Sequence, residues 1–364
     1  MLQKTQIIKP DGRYLVFYSF DRPPPALATP EGGPSRGLGS LELRWNPLVE
    51  EWVVVASERQ ERTFLPPSRY CPFCPTRDPS FATEVPAPHY EVVALENRFP
   101  SFRPDAPEPA PAASELQTRT AARGVCEVIL YSPEHHATLG GLPQAQVRHL
   151  LDAWADRYQE LGARSDVHYV YIFENRGEEI GVTLTHPHGQ IYAFPYLPPR
   201  IQRKLTAEAA YHERTGRCLH CDRFADELAD GRRLVARRGD MVAFVPFAAR
   251  FPYEVHILGR AHRPSLAALA GEEREALAAV LRTVLQKYDN LWSLPMPYML
   301  AMHQAPTDGV ERPGCHLHIE LMPLYRSRGK LKYLAGSETG AGTFINDTLP
   351  EEKAEELRWA EPRT

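Results

Sequence analysis

The run Thr185-His186-Pro187-His188-Gly189-Gln190-Ile191 sets two histidines and a glutamine at every second position. A strand repeats its side chains with a period of two, so in extended chain His186, His188 and Gln190 share one face, with Pro187 and Gly189 on the other. Pro187 has no N–H to give a ladder, which predicts an edge strand or a strand leaving a loop, not a central strand. Three polar side chains in succession on one face do not build a core. Either they are solvated histidines on a sheet edge, or they carry chemistry, and the rest of the chain has to decide.

The 364 residues have room for two ordinary domains, or one large one, and the 43% hydrophobic and 24% charged content is that of a soluble globular protein. A net charge of -4, spread along the chain, offers no basic surface for nucleic acid or membrane. No run approaches the roughly 18 apolar residues of a spanning helix. The N-terminus leads only to Tyr14-Leu15-Val16-Phe17-Tyr18, a strand and not a signal sequence, so a cytoplasmic location is expected. In a reducing compartment the six cysteines read as thiols or metal ligands. Four of them form the pairs Cys71/Cys74 and Cys218/Cys221.

The motif has an echo. His316-Leu317-His318-Ile319-Glu320 matches His186-Pro187-His188-Gly189-Gln190 at an offset of 130, and Glu254 to Leu258 matches Glu127 to Tyr131 at 127. A helical stripe over 143–162 (Val147, Leu150, Leu151, Trp154, Tyr158, Leu161) recurs over 265–289 (Leu277, Val280, Leu281, Val284, Leu285, Tyr288). Each half is preceded by its own Cys-x-x-Cys. Matches in constant order predict an internal duplication. The expected architecture is α+β, a duplicated fold of two antiparallel-sheet halves with packed helices. Residues 1–40 are expected to be an arm or loop, 41–198 the catalytic half, 199–335 its repeat and 336–364 a tail.

Two thiolates neutralise a dication and two imidazoles complete a tetrahedron, so Cys71, Cys74, His135 or His136, and one histidine of the motif suit zinc. Cys218, Cys221, His262 and His316 repeat the set, with His220 and Cys315 as competing ligands. If a metal takes one motif histidine, the other is free on the same face. A neutral imidazole can attack phosphorus without a separate base. Gln190 can donate a hydrogen bond to phosphate but cannot act as acid or base, which favours transfer over hydrolysis. Glu320, at the equivalent place, would repel phosphate, so the second copy is expected to be non-catalytic.

His186-Pro187-His188-Gly189-Gln190, preceded by Phe173-Glu174-Asn175-Arg176-Gly177, resembles the signature of the galactose-1-phosphate uridylyltransferases of the histidine-triad superfamily. Supporting matches are Asn46-Pro47-Leu48 with Trp52, Asn97 before Phe99, and Ser132-Pro133-Glu134-His135. The resemblance implies that UDP-glucose uridylylates His188, that galactose 1-phosphate takes the group to give UDP-galactose, and that kinetics are ping-pong. It implies zinc on Cys71, Cys74, His135 and His186; a second zinc on Cys218, Cys221, His262 and His316 is expected from the repeat and departs from the family. It places Gln190 on the α-phosphate, Arg59 and Arg62 on phosphates, and Asn97, Asn175 and Thr183 on UDP-sugar. Lys332, Tyr333 and Glu338 would come from a partner subunit of a homodimer. Lys204 departs from the pattern, standing where some members carry a metal-binding glutamate; Arg98 and Phe344 also depart from it. A related enzyme of ADP-sugars, nucleotidylyltransferase or phosphorylase, is the nearest alternative.

Overall fold

The computed structural model describes residues 2–25 and 39–361. Its main strands are β1 (Gln3–Ile8), β2 (Tyr14–Ser19), β3 (Leu41–Asn46), β4 (Glu51–Ala56), β5 (Val92–Glu96), β6 (Arg119–Ala121), β7 (Val125–Leu130), β8 (Tyr169–Arg176), β9 (His188–Phe194), β10 (Leu234–Arg238), β11 (Met241–Phe244), β12 (Val255–Gly259), β13 (Tyr298–His303) and β14 (His318–Pro323). The main helices are α1 (Gln144–Gly162), α2 (Pro199–Thr215), α3 (Leu219–Asp230), α4 (Gly271–Asn290) and α5 (Pro350–Trp359).

Eleven strands form one antiparallel sheet in the order β1-β2-β5-β7-β9-β8-β13-β14-β12-β11-β10. Read outward from the β8–β13 seam, β8, β9, β7 and β5 are mirrored by β13, β14, β12 and β11. That order is the duplication expected from the offsets, with the two halves fused edge to edge. The hairpin β3–β4 pairs with β6 in a separate small sheet.

Strand alternation sorts the residues onto two faces. Val16, Tyr18, Val92, Ala94, Ile129 and Ile191 pack with the apolar stripes of α1 and α4 in the main core. Their neighbours Leu15, Phe17, Val93, Leu95, Val128 and Leu130 form a second cluster with Cys71, Phe73 and Leu184. Across β7–β9, Leu130 faces His188 and Val128 faces Gln190. Directly opposed residues share a sheet face, so His188 and Gln190 lie on this second face, away from α1 and α4.

Three expectations change. The motif strand is central, between β7 and β8, because pairing starts at His188 and leaves Pro187 outside the ladder. His186 therefore belongs to the preceding loop. The expected N-terminal arm is largely a hairpin: Tyr14 to Ser19 is buried between β1 and β5, which extends the sheet. The rest of that segment, 26–38, lies outside the described residues. The expected tail contains α5, which buries Ala354 and Leu357 in the main core. Finally, the expected boundary at 198/199 coincides with the start of α2, which Pro199 opens where a missing N–H costs nothing.

Gly189 faces the main core at a point with no room for a side chain. A Cβ there would meet Tyr131 Oη at 2.4 Å and Phe173 O at 3.0 Å. Gly189→Ala is expected to cost about 1–3 kcal/mol, with part of the loss recovered in Gly189→Ala/Tyr131→Phe; chemical denaturation of both variants checks this.

Candidate active site

Cys71 and Cys74 flank a tight turn, His135 follows β7, and His186 precedes β9. Their ligand atoms all converge within 4.8 Å. Cys74 Sγ lies 3.5 Å from His135 Nδ1 and 3.6 Å from His186 Nδ1. With ordinary Zn–S and Zn–N bond lengths a tetrahedral S···N edge is about 3.5 Å, so the donors fit that ion. The outward nitrogens are engaged: His186 Nε2 is 2.9 Å from Ser132 O, and His135 Nε2 is 3.1 Å from Thr185 Oγ1. These bonds turn both Nδ1 atoms toward the sulfurs. Burial and the neighbouring Cys71 push the Cys74 thiol up to about 12, so a thiolate pair here calls for a cation. His136 stays outside the set.

Cys218, Cys221, His262 and His316 form an equivalent cluster. Cys221 Sγ is 3.5 Å from His316 Nδ1 and 3.7 Å from His262 Nδ1, and Cys218 Sγ is 3.8 Å from His316 Nδ1. The competing candidates drop out, because His220 is bound to Glu208 Oε1 at 2.8 Å and Cys315 is buried outside the four-residue set. A glutamate-containing metal set does not fit at position 204: the Lys204 ammonium sits 2.6 Å from Glu320 Oε1.

His188 opens β9 with Nδ1 2.8 Å from the His186 carbonyl oxygen. In the neutral ring Nδ1–H donates to that oxygen, so the lone pair is on Nε2. Burial lowers the ring's pKa and favours the neutral form. The Phe73 ring stands edge-on at 5.2 Å.

Two cavities meet at His188. The smaller, about 100 Å³, is lined by Arg59, Arg62, Asn97, Thr183, His188 and Gln190. The larger, about 520 Å³, is lined by Asn175, Glu174, Arg176, Glu178, Glu179 and His188 among others. The short turn Ser57–Glu61 carries Arg59, whose Nη1 donates to Phe99 O at 2.9 Å. Burial and then the charge of Arg59 lower the pKa of Arg62, a crowding of cations that an anion would relieve.

Lys332, Tyr333 and Glu338 line neither cavity. Lys332 Nζ instead binds Glu338 Oε1 at 3.1 Å, and Tyr333 is 74% exposed. Three other residues were not anticipated. Arg13 and Glu84 line the smaller cavity as an ion pair at 2.7 Å, joining the N-terminal hairpin to the site. Nothing in their local sequence signals this, since the pair forms across 71 residues. Glu174 lies within the Phe-Glu-Asn run, and only its burial marks it out. Tyr298 Oη donates to its Oε1 at 3.2 Å, and burial raises its pKa to about 7.

A free imidazole nitrogen, an arginine-lined cavity and a non-titrating amide, set on one copy of a doubled antiparallel fold, define a histidine-dependent nucleotidyl-transferring enzyme. Comparison with known proteins makes this specific. The N-terminal domain of galactose-1-phosphate uridyl transferase matches residues 38–198, and its C-terminal domain matches 204–362. The galactose-1-phosphate uridylyltransferase of Thermotoga maritima is 41% identical over 322 residues, 88% of this chain and 99% of that one. A solved uridylyltransferase structure is 37% identical with a TM-score of 0.78, over 88% of this chain and 98% of that one. An ADP-glucose phosphorylase from Arabidopsis thaliana matches at 25% identity and a TM-score of 0.65, over 88% of this chain and 99% of that one. The chain belongs to the galactose-1-phosphate uridylyltransferase family. It is a uridylyltransferase of galactose metabolism. Among the described residues no helix is long and apolar enough to cross a membrane.

Cys71→Ser should lower bound metal by about one equivalent per chain and lower the melting temperature, read by elemental analysis and calorimetry. A second outcome concerns Glu174. Its pKa is higher folded than unfolded, so its contribution is lost as pH rises from about 4.5 through about 7. The wild type should therefore lose up to about 3 kcal/mol relative to Glu174→Gln on that rise, measured by denaturation at pH values on either side of the window.

Proposed function

We propose that this chain transfers a uridylyl group from UDP-glucose to galactose 1-phosphate through a covalent uridylyl-His188. The observation that carries the reading is the free Nε2 of His188 at the junction of two cavities. Nε2 attacks the α-phosphorus; the N–P bond forms as the P–O bond to the leaving phosphate breaks, and glucose 1-phosphate departs. Neither bond change needs a proton from the protein. A phosphate oxygen of galactose 1-phosphate then attacks the same phosphorus, and the electron pair of the N–P bond returns to Nε2. Through both steps Nδ1–H remains on the His186 carbonyl, which stabilises the positive charge that develops on the ring.

Arg59 and Arg62 hold the diphosphate, and the Gln190 amide donates to the α-phosphate. Asn97, Thr183 and Asn175 position UDP-sugar on the two sides of His188. Residues 41–198 are thus the catalytic half and 199–335 its non-catalytic repeat. Lys332, Tyr333 and Glu338 act from a second copy of the chain, and their absence from the lining of both cavities favours a homodimer with shared sites. Cys71, Cys74, His135 and His186 hold zinc, as do Cys218, Cys221, His262 and His316. With four protein ligands such an ion shapes the loop before β9 and leaves no open position for substrate. The protein works in the cytoplasm, and its acidic net charge speaks against nucleic acid as a partner.

Incubation with UDP-glucose alone should release one glucose 1-phosphate per active site and add the mass of UMP to the peptide carrying His188. His188→Gly should form no adduct yet keep its metal. No adduct on the wild type would refute the two-step route, and an AMP adduct from ADP-glucose in preference to UMP would move the specificity to ADP-sugars.

A further inference from the structure

The second copy of the motif keeps the backbone geometry of the first. His318 Nδ1 lies 2.9 Å from His316 O, as His188 Nδ1 lies 2.8 Å from His186 O. The Nε2 lone pair of His318 is thereby presented in the same way, but it does not meet an open cavity. It meets Lys204 Nζ at 3.1 Å. The same ammonium lies 2.6 Å from Glu320 Oε1.

The surroundings of that ammonium are those of a metal ion. His303, His318 and Glu320 are all buried, and their ligand atoms converge within 4.8 Å. Register explains the convergence: on β14, His318 opposes His303 of β13 and Glu320 opposes His256 of β12, all on one face. His303 Nε2 lies 3.2 Å from Glu320 Oε2, and His256 Nε2 lies 3.6 Å from Glu320 Oε1. His303 Nδ1 is buried without a hydrogen-bond partner. Arg200, one turn before Lys204 on α2, reaches Glu320 Oε2 at 3.1 Å. A cavity of about 190 Å³, lined by Arg200, His303 and Glu320, connects to the cluster.

Two imidazoles and a carboxylate facing one point constitute a ligand set for a borderline divalent ion. Here a covalently attached cation bonds two of the three, His318 and Glu320. We propose that the Lys204 ammonium is the resident cation of the His303/His318/Glu320 pocket, and that the pocket binds a divalent transition metal once the ammonium is removed. The ammonium satisfies one carboxylate oxygen and one imidazole lone pair, and so keeps the buried carboxylate charged and paired without an ion from solution.

The test is a difference in metal stoichiometry after loading with cobalt(II) and desalting. Lys204→Ala should retain one cobalt per chain more than wild type, with added d–d absorption lacking thiolate charge-transfer bands, and Lys204→Ala/His303→Ala should lose that increment. His303→Ala alone should leave the wild-type count unchanged. A folded Lys204→Ala with the wild-type count would overturn the proposal, as would loss of an equivalent from the wild type on His303→Ala. Lys204→Gln, which keeps length and polarity, guards against misfolding. If neither Lys204 variant folds with or without cobalt, the claim that a metal can replace the ammonium is also refuted.

Discussion

One hydrogen bond connects the two chemistries of the site. The His186 carbonyl accepts Nδ1–H of His188 at 2.8 Å, while the His186 ring turns its own Nδ1 to the Cys71/Cys74 cluster. The tautomer of His188 is thus set by a residue whose position is set by the cluster and by Ser132 and Tyr90 behind it. Moving the loop by an ångström would leave the imidazole present but its lone pair misdirected.

The duplicated sheet shows that this backbone arrangement is necessary but not sufficient. Both copies hold the second histidine in the same tautomer. What differs is the residue two positions on and the helix that covers it. In the first copy Gln190 is neutral and the face is open toward Arg59 and Arg62. In the second, Glu320 brings a charge that His303, His256, Arg200 and Lys204 surround. Burial alone would raise the Glu320 carboxyl, yet these neighbours hold it well below its ordinary range. A phosphate would have to displace a paired carboxylate, a large cost in a buried site.

Much of the site was legible because it depends on spacing. Period-two alternation put His188 and Gln190 on one face, and they share it in β9. Cys-x-x-Cys with two distant histidines pointed to both four-residue clusters, and an offset near 130 revealed the doubling. Reading failed where the deciding partner is far away in sequence. Pro187 suggested an edge strand, but the ladder begins one residue later, and β7 and β8 then cover both sides. Tyr14 to Tyr18 read as a strand inside an arm or loop, whereas it pairs with β5 and brings Arg13 to Glu84. The helices α2 and α3 were not anticipated as covers for the second copy.

By itself the sequence determined the chemistry available to this protein: two donor sets of matching softness, a spare imidazole, an amide in one copy and a carboxylate in the other. These follow from residue type and local period, which no fold can alter. Only the tertiary structure decided which histidine of each pair meets sulfur, that His188 borders two cavities, and that Lys204 bonds His318 and Glu320 in the second copy. Those outcomes depend on strand register, which pairs His188 with Leu130 and His318 with His303, and on a helix laid across the sheet that brings Lys204 to Glu320. They are fixed when burial of the shared core brings the strands into register.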